Sequence, residues 1–279
     1  MSMKKKEFCV LQAVYRGDNP VYLNESLLSI SEQTLKPQKI IVVKDGNIGE
    51  ELDAVLSRWK KKLPLCIVGY EKNAGLACAL NFGLRYVDTE YVARMDSDDI
   101  CFSNRFEKQI EFFKQTPDAM ICGTALEEFY EQRDGVRIKK NRFYPQIITK
   151  ESVCLFRGTP IAHPTVMINS DLLKKYGYSE RTKMNEDIEL WFRLLIDGVK
   201  IYNIQEPLLH FRITDSTFNR RSIQKAKNEY LIYMSNLRKM FGISHLYVFP
   251  FLRFCFRFLP SFINKKIYFS NVRGKILEK

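Results

Sequence analysis

Residues 91–99 read Tyr-Val-Ala-Arg-Met-Asp-Ser-Asp-Asp, a stretch that turns from apolar to acidic at residue 96. The first five residues predict a buried strand, and the last four carry three carboxylates. Carboxylates this close repel one another unless a cation lies between them, and their oxygens suit Mg²⁺ or Mn²⁺. The stretch therefore predicts a strand that ends at a metal site. The simpler alternative is an Asp-rich turn that caps the next helix.

The residues around this stretch alternate between two periodicities. Strand-like runs cover 8–14, 39–43, 65–68, 91–95 and 119–122, and helix-like runs begin at Asn19-Pro20 and cover 50–62, 76–87 and 104–115. Strands separated by helices of this length predict right-handed βαβ units and a mainly parallel sheet flanked by helices, which is an α/β fold. Ligands of such sheets bind at the carboxyl ends of the strands.

The regular alternation of strand-like and helix-like runs ends after residue 124. A turn at Asp134-Gly135 predicts an antiparallel excursion, and further strands are expected at 165–168, 200–204 and 208–213. Apolar residues at helical spacing predict an amphipathic helix over 186–196 and a long helix over 222–241.

Polar residues follow each of the first three predicted strands and should meet at one edge of the sheet. They are Tyr15, Arg16 and Asp18, then Asp45-Gly46, then Lys72-Asn73-Ala74-Gly75. The last group opens a helix, whose free N–H groups would suit a phosphate or a ribose. Neither a G-x-G-x-x-G fingerprint nor a P-loop is present. Further along, Glu186 and Asp187 start a helix after Asn185; a carboxylate there is either a general base or a helix cap.

Composition limits the classes of protein to consider. The chain has 279 residues, of which 46% are hydrophobic and 27% charged, so disorder is excluded and one large domain with an appendage is expected. The seven cysteines are scattered and lack a C-x-x-C pair, which speaks against a disulfide framework and a Cys-based zinc site. No run reaches about 18 apolar residues, and no signal peptide is visible, so a reducing cytoplasm is expected.

Charge is concentrated at the end of the chain. Residues 220–279 carry 13 Lys and Arg against 2 Asp and Glu, whereas the residues before them are nearly neutral. Residues 243–279 interleave phenylalanines with basic side chains, which predicts an interfacial segment on an anionic membrane. A helical pair packed on the body is the alternative. RNA is a weaker one, because the Phe content exceeds what base stacking needs, and no nucleic acid is expected as a partner.

Taken together, the motifs resemble those of the inverting family 2 glycosyltransferases, which have the GT-A fold and use nucleotide-diphospho sugars. The resemblance runs from Phe8 to Ser216. It rests on Gln12-Ala13-Val14-Tyr15, Asp45-Gly46, Lys72-Asn73-x-Gly75, Ala93-Arg94-Met95-Asp96-Ser97-Asp98-Asp99, Asn104-Arg105-Phe106-Glu107, His163-Pro164-Thr165 and Glu186-Asp187-x-x-Leu190-Trp191-x-Arg193, all in the family's order.

The resemblance implies a role for each motif. Tyr15 and Asp45 would contact the uracil, and Asp96 would face the ribose. The nucleotide pocket would be lined by Lys72, Asn73, Gly75 and Arg94. Asp98, with Asp96, would hold Mn²⁺ or Mg²⁺ against the diphosphate. Asp187 would be the general base, with Glu186 as the alternative. Acceptor or diphosphate contacts are expected from Asp99, His163, Trp191 and Arg212.

Two departures from the family pattern stand out. Arg16 replaces the Asn of the usual S-V-Y-N, which leaves the contacts at that position open. The segment that often reads Y-R-x-H is here Phe211-Arg212-Ile213-Thr214, so the family's histidine is missing from its position. His210 lies nearby without matching that position. It is either a metal ligand or, more simply, a histidine at the end of a strand.

The resemblance also implies a substrate class. Similar enzymes assemble bacterial O-antigen or capsule, and some add a sugar to undecaprenyl-diphosphate-linked GlcNAc or GalNAc through a β1,3 bond. We therefore expect transfer of glucose or galactose from a UDP-sugar, by an enzyme peripheral to the cytoplasmic face of the cell membrane. Residues 1–219 would form the catalytic domain, with a nucleotide-binding half (1–123) and an acceptor-binding half (124–219). Residues 220–279 would form a basic, amphipathic helical tail that associates with the membrane.

Two other functions remain open at this point. A sugar-phosphate nucleotidyltransferase has a related fold, but it would show a Gly-rich loop after the first strand, where only Gly17 is found. A catalytically inactive membrane- or RNA-binding module is the rival from another class. The intact Asp96, Asp98 and Asp187 speak against that second alternative.

Overall fold

A computed structural model describes residues 7–131, 137–182, 184–214, 223–256 and 258. Its strands are β1 Phe8–Tyr15, β2 Lys39–Asp45, β3 Leu65–Tyr70, β4 Tyr91–Met95, β5 Ile100–Cys101, β6 Ile121–Glu131, β7 Arg137–Arg142, β8 Ile147–Ile148, β9 Met167–Asn169 and β10 Ile201–Ile213. Its helices are α1 Pro20–Ser31, α2 Glu50–Lys60, α3 Leu76–Leu84, α4 Arg105–Gln115, α5 Ser170–Tyr176, α6 Glu186–Ile196, α7 Ile223–Phe241 and α8 Val248–Phe256.

The strands form one sheet in the order β3-β2-β1-β4-β9-β6-β10-β5, with β7 beside β6 and β8 beside β10. The four strands at the β3 end all run parallel, as the alternating pattern predicts. The carboxyl ends of β1, β2 and β4 therefore lie at one edge, where the polar residues after each strand meet. The helix expected after Asn19-Pro20 is present, and the Asn19 side chain caps it.

The second half of the sheet is mixed. β9 lies between β4 and β6 and is antiparallel to both, and β6 forms an antiparallel pair with β7. The antiparallel excursion is thus confirmed, while its expected turn at 134–135 lies outside the described residues. The separate strands expected at 200–204 and 208–213 are wrong, because β10 is continuous and changes register around Pro207. Proline cannot donate to a ladder, so it appears at an irregularity within one strand.

Apolar side chains cover both faces of the sheet. Alternate residues of β1 enter two separate cores: Val10 packs with α1, α2 and α4, whereas Leu11 packs with α3, α6 and α7. A strand buried on both faces needs a continuous apolar sequence. This explains why 8–14 shows no polar alternation.

The described part of the tail packs against the body. Arg253 in α8 pairs with Glu229 of α7 at 2.6 Å, and its guanidinium lies over the ring of Tyr233 at 3.9 Å. Within 243–279, the described residues thus pack on α7 through α8, whereas Arg257 and residues 259–279 lie outside the described part. The helical pair and the interfacial segment considered for 243–279 both stay predictions. Among the described residues, no helix has both the length and the apolar character needed to cross a membrane.

Gly46 offers a test of how closely the loops at the site edge pack. It has φ +85°, and a Cβ there would lie 2.6 Å from the backbone nitrogen of Asn73. Gly49 has nearly the same φ, +86°, but open space around its Cβ position. We expect Gly46→Ala to lower the free energy of unfolding by about 1–3 kcal/mol more than Gly49→Ala, measured by urea unfolding. Equal losses would mean that the Asn73 backbone does not restrict this position.

Candidate active site

Three carboxylates come together where β4 ends. One carboxylate oxygen from each of Asp96, Asp98 and Asp99 lies within 4.8 Å of the others. We call residues 96–99 the acidic loop. Its first carbonyl, that of Asp96, accepts hydrogen bonds from Gln12 Nε2 at 2.9 Å and Ser26 Oγ at 3.1 Å. The loop is thus fastened to β1 and α1 through its backbone, which leaves its carboxylates turned toward one another.

Asp99 provides the test of whether a cation fits this loop. Its side chain is fully buried, and Oδ1 accepts a hydrogen bond from the backbone N–H of Arg212 at 2.9 Å. Oδ2 has no hydrogen-bond partner within the described part of the chain. Burial, together with the charges of Asp98 and Asp96, raises the pKa of Asp99 well above its usual range. An orphaned buried oxygen beside two more carboxylates is a donor set that fits Mg²⁺ or Mn²⁺.

Asp18 adds a fourth carboxylate that the sequence analysis did not place in the metal site. Burial raises its pKa to about 7, and the charges of Asp98 and Asp96 act in the same direction. The backbone N–H of Tyr15 donates to Asp18 Oδ2 at 3.1 Å. The sequence feature that could have indicated this place for Asp18 is its position just after the first predicted strand. Its approach to the acidic loop depends on how the turn after β1 folds back.

Arg94 lies beside the acidic loop, and its expected place in the nucleotide pocket stays a prediction. Its side chain is buried and forms an ion pair with Asp96. Nε and Nη1 of the same guanidinium lack hydrogen-bond partners among the described residues. Arg94 therefore neutralises one carboxylate of the loop and keeps two guanidinium nitrogens without partners among the described residues.

Arg212 fastens the other end of the acidic loop. Its Nε donates to the carbonyl of Asp98 at 2.9 Å, and its Nη2 pairs with Glu25 of α1. Its guanidinium lies 4.0 Å from the ring centre of Tyr22 and 4.7 Å from that of Phe129. With only 4% of the residue exposed, Arg212 holds the loop in place. The acceptor or diphosphate contact expected of it stays a prediction.

Asp45 organises the turn that precedes α3. Its carboxylate accepts hydrogen bonds from Tyr70 Oη at 2.9 Å, Asn73 Nδ2 at 2.9 Å, Ala74 N at 2.7 Å and Gly75 N at 3.0 Å. The backbone N–H groups of Ala74 and Gly75 are therefore not free for a phosphate, because Asp45 already supplies an anion there. Lys72 and Asn73 are exposed beside this turn. The uracil contact of Asp45 stays a prediction.

Tyr15 ends β1 at the rim of the same edge. Its side chain is partly exposed, and a Cβ on Gly17 would lie 2.5 Å from Tyr15 Cε2. The ring thus rests on the backbone of Gly17 and presents an accessible aromatic face. A flat ring held in this way suits the stacking role expected for a uracil contact.

Glu186 and Asp187 begin α6 and form the second carboxylate group of the site. Burial and then the charge of Asp187 raise the pKa of Glu186 to about 7. Burial also raises the pKa of Asp187. The charges of Lys225 and Arg94 oppose both shifts. Arg94, which pairs with Asp96, is therefore a neighbour of both groups of carboxylates.

The backbone around this pair is constrained from two sides. Met184 has φ +70°, and among the described residues it is the one non-glycine with positive φ. Asn185 Nδ2 donates to the carbonyl of Lys225 in α7 at 3.3 Å. Strained backbone of this kind is found at functional sites. The contribution of α7 was missed from the sequence, because nothing local links residue 225 to residue 185.

His163 and Trp191 lie inside the protein. His163 Nε2 shares a hydrogen bond of 2.9 Å with Tyr178 Oη, and burial lowers the pKa of His163 well below its usual range, with Arg94 adding to the effect. Trp191 is 1% exposed and packs edge-on against His163, and its Nε1 has no partner within the described structure. Both residues are buried below the site, and a direct substrate contact for either stays a prediction. His210 instead pairs with Glu127 at 2.8 Å.

Topology and carboxylate arrangement together define a glycosyltransferase of the GT-A fold. A sequence model of "Glycosyl transferase family 2" matches residues 10–177. An uncharacterized glycosyltransferase of Haemophilus influenzae is 33% identical over 273 residues and covers 96% of this chain and 99% of its own length. The chain therefore belongs to glycosyltransferase family 2.

Two further relatives have more specific names. The amylovoran biosynthesis glycosyltransferase AmsE of Erwinia amylovora is 32% identical, over 96% of this chain and 100% of its own. The UDP-Gal:alpha-D-GlcNAc-diphosphoundecaprenol beta-1,3-galactosyltransferase of Escherichia coli is 33% identical, over 85% of this chain and 86% of its own. Among solved structures, S. aureus TarS 1–349 in complex with UDP-GlcNAc superposes with a TM-score of 0.65 at 17% identity. That match covers 96% of this chain and 74% of TarS 1–349 and supports the fold.

The position of Arg212 predicts an effect on metal affinity that ordinary destabilisation would not give. We expect Arg212→Lys to weaken Mn²⁺ binding about tenfold, because lysine cannot contact both the Asp98 carbonyl and Glu25 while it lies between two rings. The affinity is measured by isothermal titration calorimetry.

Arg193→Lys is the matched control for this experiment. Arg193 bonds to Glu189 and to the carbonyls of Tyr176 and Gly177, so its replacement removes a comparable set of contacts away from the acidic loop. We expect Arg193→Lys to lower the Tm and leave Mn²⁺ affinity unchanged. The same loss of affinity in both variants would contradict a specific role for Arg212.

Proposed function

We propose that this enzyme transfers a hexose from a UDP-sugar to a lipid-diphosphate-linked sugar, with inversion at the anomeric carbon and with dependence on a divalent metal. The observation that carries this proposal is the proximity of two carboxylate groups to one buried guanidinium. The acidic loop suits the diphosphate end of a donor, and the Glu186–Asp187 pair suits an acceptor hydroxyl. Arg94 is a neighbour of both.

On the donor side, Tyr15, Asp45 and the 72–75 turn line the edge that a nucleotide would reach. Asp98 and Asp96, with Asp99 behind them, would hold Mn²⁺ or Mg²⁺. Such an ion, when bound, offsets the charge that develops on a leaving diphosphate. Galactose and glucose are the proposed sugars, and the name of the E. coli relative favours galactose.

On the acceptor side, Asp187 is the proposed base. The acceptor oxygen forms a bond to C1 of the sugar from the face opposite UDP, while the bond from C1 to the diphosphate oxygen breaks. The proton of the acceptor hydroxyl passes to Asp187, and UDP departs with the bonding electrons. A carboxylate with a raised pKa is a stronger base than an exposed one, which suits this step.

The proposed acceptor is an undecaprenyl-diphosphate-linked GlcNAc or GalNAc, and the proposed product carries a β1,3 bond in surface polysaccharide assembly. The support is the printed activity of the E. coli relative and the polysaccharide named for AmsE. We assign the nucleotide to residues 1–123 and the acceptor to 124–219. The proposed location is the anionic, cytoplasmic face of the membrane, and the basic segment 220–279 and a lipid-linked acceptor in the bilayer support it.

Release of UDP tests the donor and the metal together. We expect release from one UDP-sugar only, in the presence of Mn²⁺ and a lipid-diphosphate GlcNAc or GalNAc acceptor, and none with EDTA. Asp98→Ala should abolish release without lowering the Tm, because it removes a proposed ligand from a partly exposed position. Asp118→Ala, at an exposed turn outside the site, is the control and should retain full activity. Normal turnover by Asp98→Ala would refute the metal assignment.

The pH dependence tests the base. Because burial raises the pKa of Asp187, this base is protonated at a higher pH than an ordinary aspartate, so turnover should fall as the pH drops toward that raised pKa. Glu186→Gln removes the neighbour whose pKa is raised to about 7 and leaves the burial that raises the pKa of Asp187, so the acid limb of kcat/KM should be kept.

Asp187→Asn is the companion variant. It should reduce kcat by roughly 10²–10⁴-fold across the whole pH range, the usual contribution of a general base. If Glu186→Gln lost activity to this extent while Asp187→Asn kept it, the base would be Glu186.

A further inference from the structure

The outer face of α8 is apolar and, in the described part of the chain, exposed. We define it as Val248, Phe251, Leu252, Cys255 and Phe256, which repeat at the spacing of one helix face. Phe251 is 52% exposed, and Val248, Leu252 and Phe256 are each exposed by more than two fifths. Phe258 continues the patch with 51% exposure. An apolar patch that large marks a surface with a partner, because isolated proteins seldom leave so many large side chains in water.

The inner face of α8 uses the helix's one charged residue. Arg253 points to the body, where it pairs with Glu229, lies over Tyr233 and donates to the carbonyl of Arg157 at 3.4 Å. Phe254 packs against Tyr230 with ring centres 5.1 Å apart. The outer face therefore has no charge of its own, and the one charge of the inner face is paired with Glu229. Such a helix is buried on both sides in its working state.

The net charge of the sequence segment that contains α8 favours one occupant. Residues 220–279 hold 13 basic against 2 acidic residues, and of those two Glu229 is already paired with Arg253. A second copy would bring an equally basic segment to the contact and be repelled. An anionic lipid surface would attract the segment and cover the apolar face. We propose that the outer face of α8 is the membrane-docking surface of this enzyme.

The direction of α8 places this surface at the catalytic end of α7. α8 runs antiparallel to α7, because Tyr247 just before α8 and Phe241 at the end of α7 both pack on Phe156. Arg253 and Phe254, further along α8, reach Glu229 and Tyr230 in the first half of α7. Lys225 is one helical turn before Glu229, and its carbonyl accepts from Asn185, the residue before the Glu186–Asp187 pair. Docking on lipid thus brings the base to the membrane. This consequence rests on the proposed lipid-linked acceptor.

Vesicle binding tests the surface independently of turnover. The variant Phe251→Gln with Leu252→Gln changes two exposed side chains and no inner contact. Cosedimentation with phosphatidylglycerol–phosphatidylethanolamine vesicles should show binding weakened by roughly tenfold or more, because the lost transfer of two large apolar side chains is substantial. Leu28→Gln with Met120→Gln, two exposed apolar residues on other elements, is the matched control and should bind like the parent.

Turnover with two acceptors then tests whether docking of α8 on lipid brings the base to its acceptor. With a lipid-diphosphate GlcNAc or GalNAc in vesicles, the α8 variant should release UDP roughly tenfold more slowly than the parent. With a short-chain, water-soluble analogue of the acceptor, the α8 variant and the parent should release UDP at equal rates. An equal loss of UDP release on both acceptors would overturn the link between docking and the base.

Three results would overturn the surface or separate it from the proposed function. Unchanged vesicle binding by the α8 variant overturns the docking surface. A parent that is dimeric by analytical ultracentrifugation, with a monomeric α8 variant, overturns lipid in favour of a second copy. Absence of turnover by the parent on every donor refutes the proposed function, while the vesicle measurement still decides the surface.

Discussion

Repulsion among the carboxylates at the end of β4 is the constraint on which the rest of the site depends. Three buried arginines contact this region, and one of them, Arg94, pairs with a carboxylate of the loop. Arg94 pairs with Asp96, and Arg105 donates to the carbonyl of Arg94 at 2.9 Å. Arg212 bonds to Asp98 and, through its backbone, to Asp99. Buried charges are costly unless they are paired and bonded, so these guanidiniums and the acidic loop fix one another in position.

The same constraint joins the distant parts of the fold. Arg212 is on β10, yet it reaches Glu25 and Tyr22 of α1 and Phe129 of β6. The mixed half of the sheet, which departs from simple βαβ alternation, is what brings β10 to the acidic loop. Asp45 acts in the same manner at the neighbouring loop, where one carboxylate gathers four donors. Buried ionic groups therefore set the positions of the loops at the ligand edge.

Helix α7 contacts both the loop before the Glu186–Asp187 pair and the surface helix α8. At one end it bonds to Asn185 and adds the charge of Lys225 beside the Glu186–Asp187 pair. Along its length it receives Arg253 and Phe254 of α8. In the apolar core on that side, Tyr233 and Leu237 of α7 pack with Leu190 and Trp191 of α6. The proposed general base and the apolar face of α8 are thus both connected to α7.

By itself, the sequence determined the features that depend on neighbours in the chain. The alternating strands and helices of the first half, the acidic loop after β4 and the carboxylate pair at the start of α6 follow from local periodicity and motif spacing. Tertiary structure alone decided which residues meet. Asp18 near the acidic loop, Arg212 against a carboxylate 113 residues away, and α8 with its one charge turned inward are contacts between distant segments. Local pattern could not supply them, because each depends on how the sheet and the final helices pack.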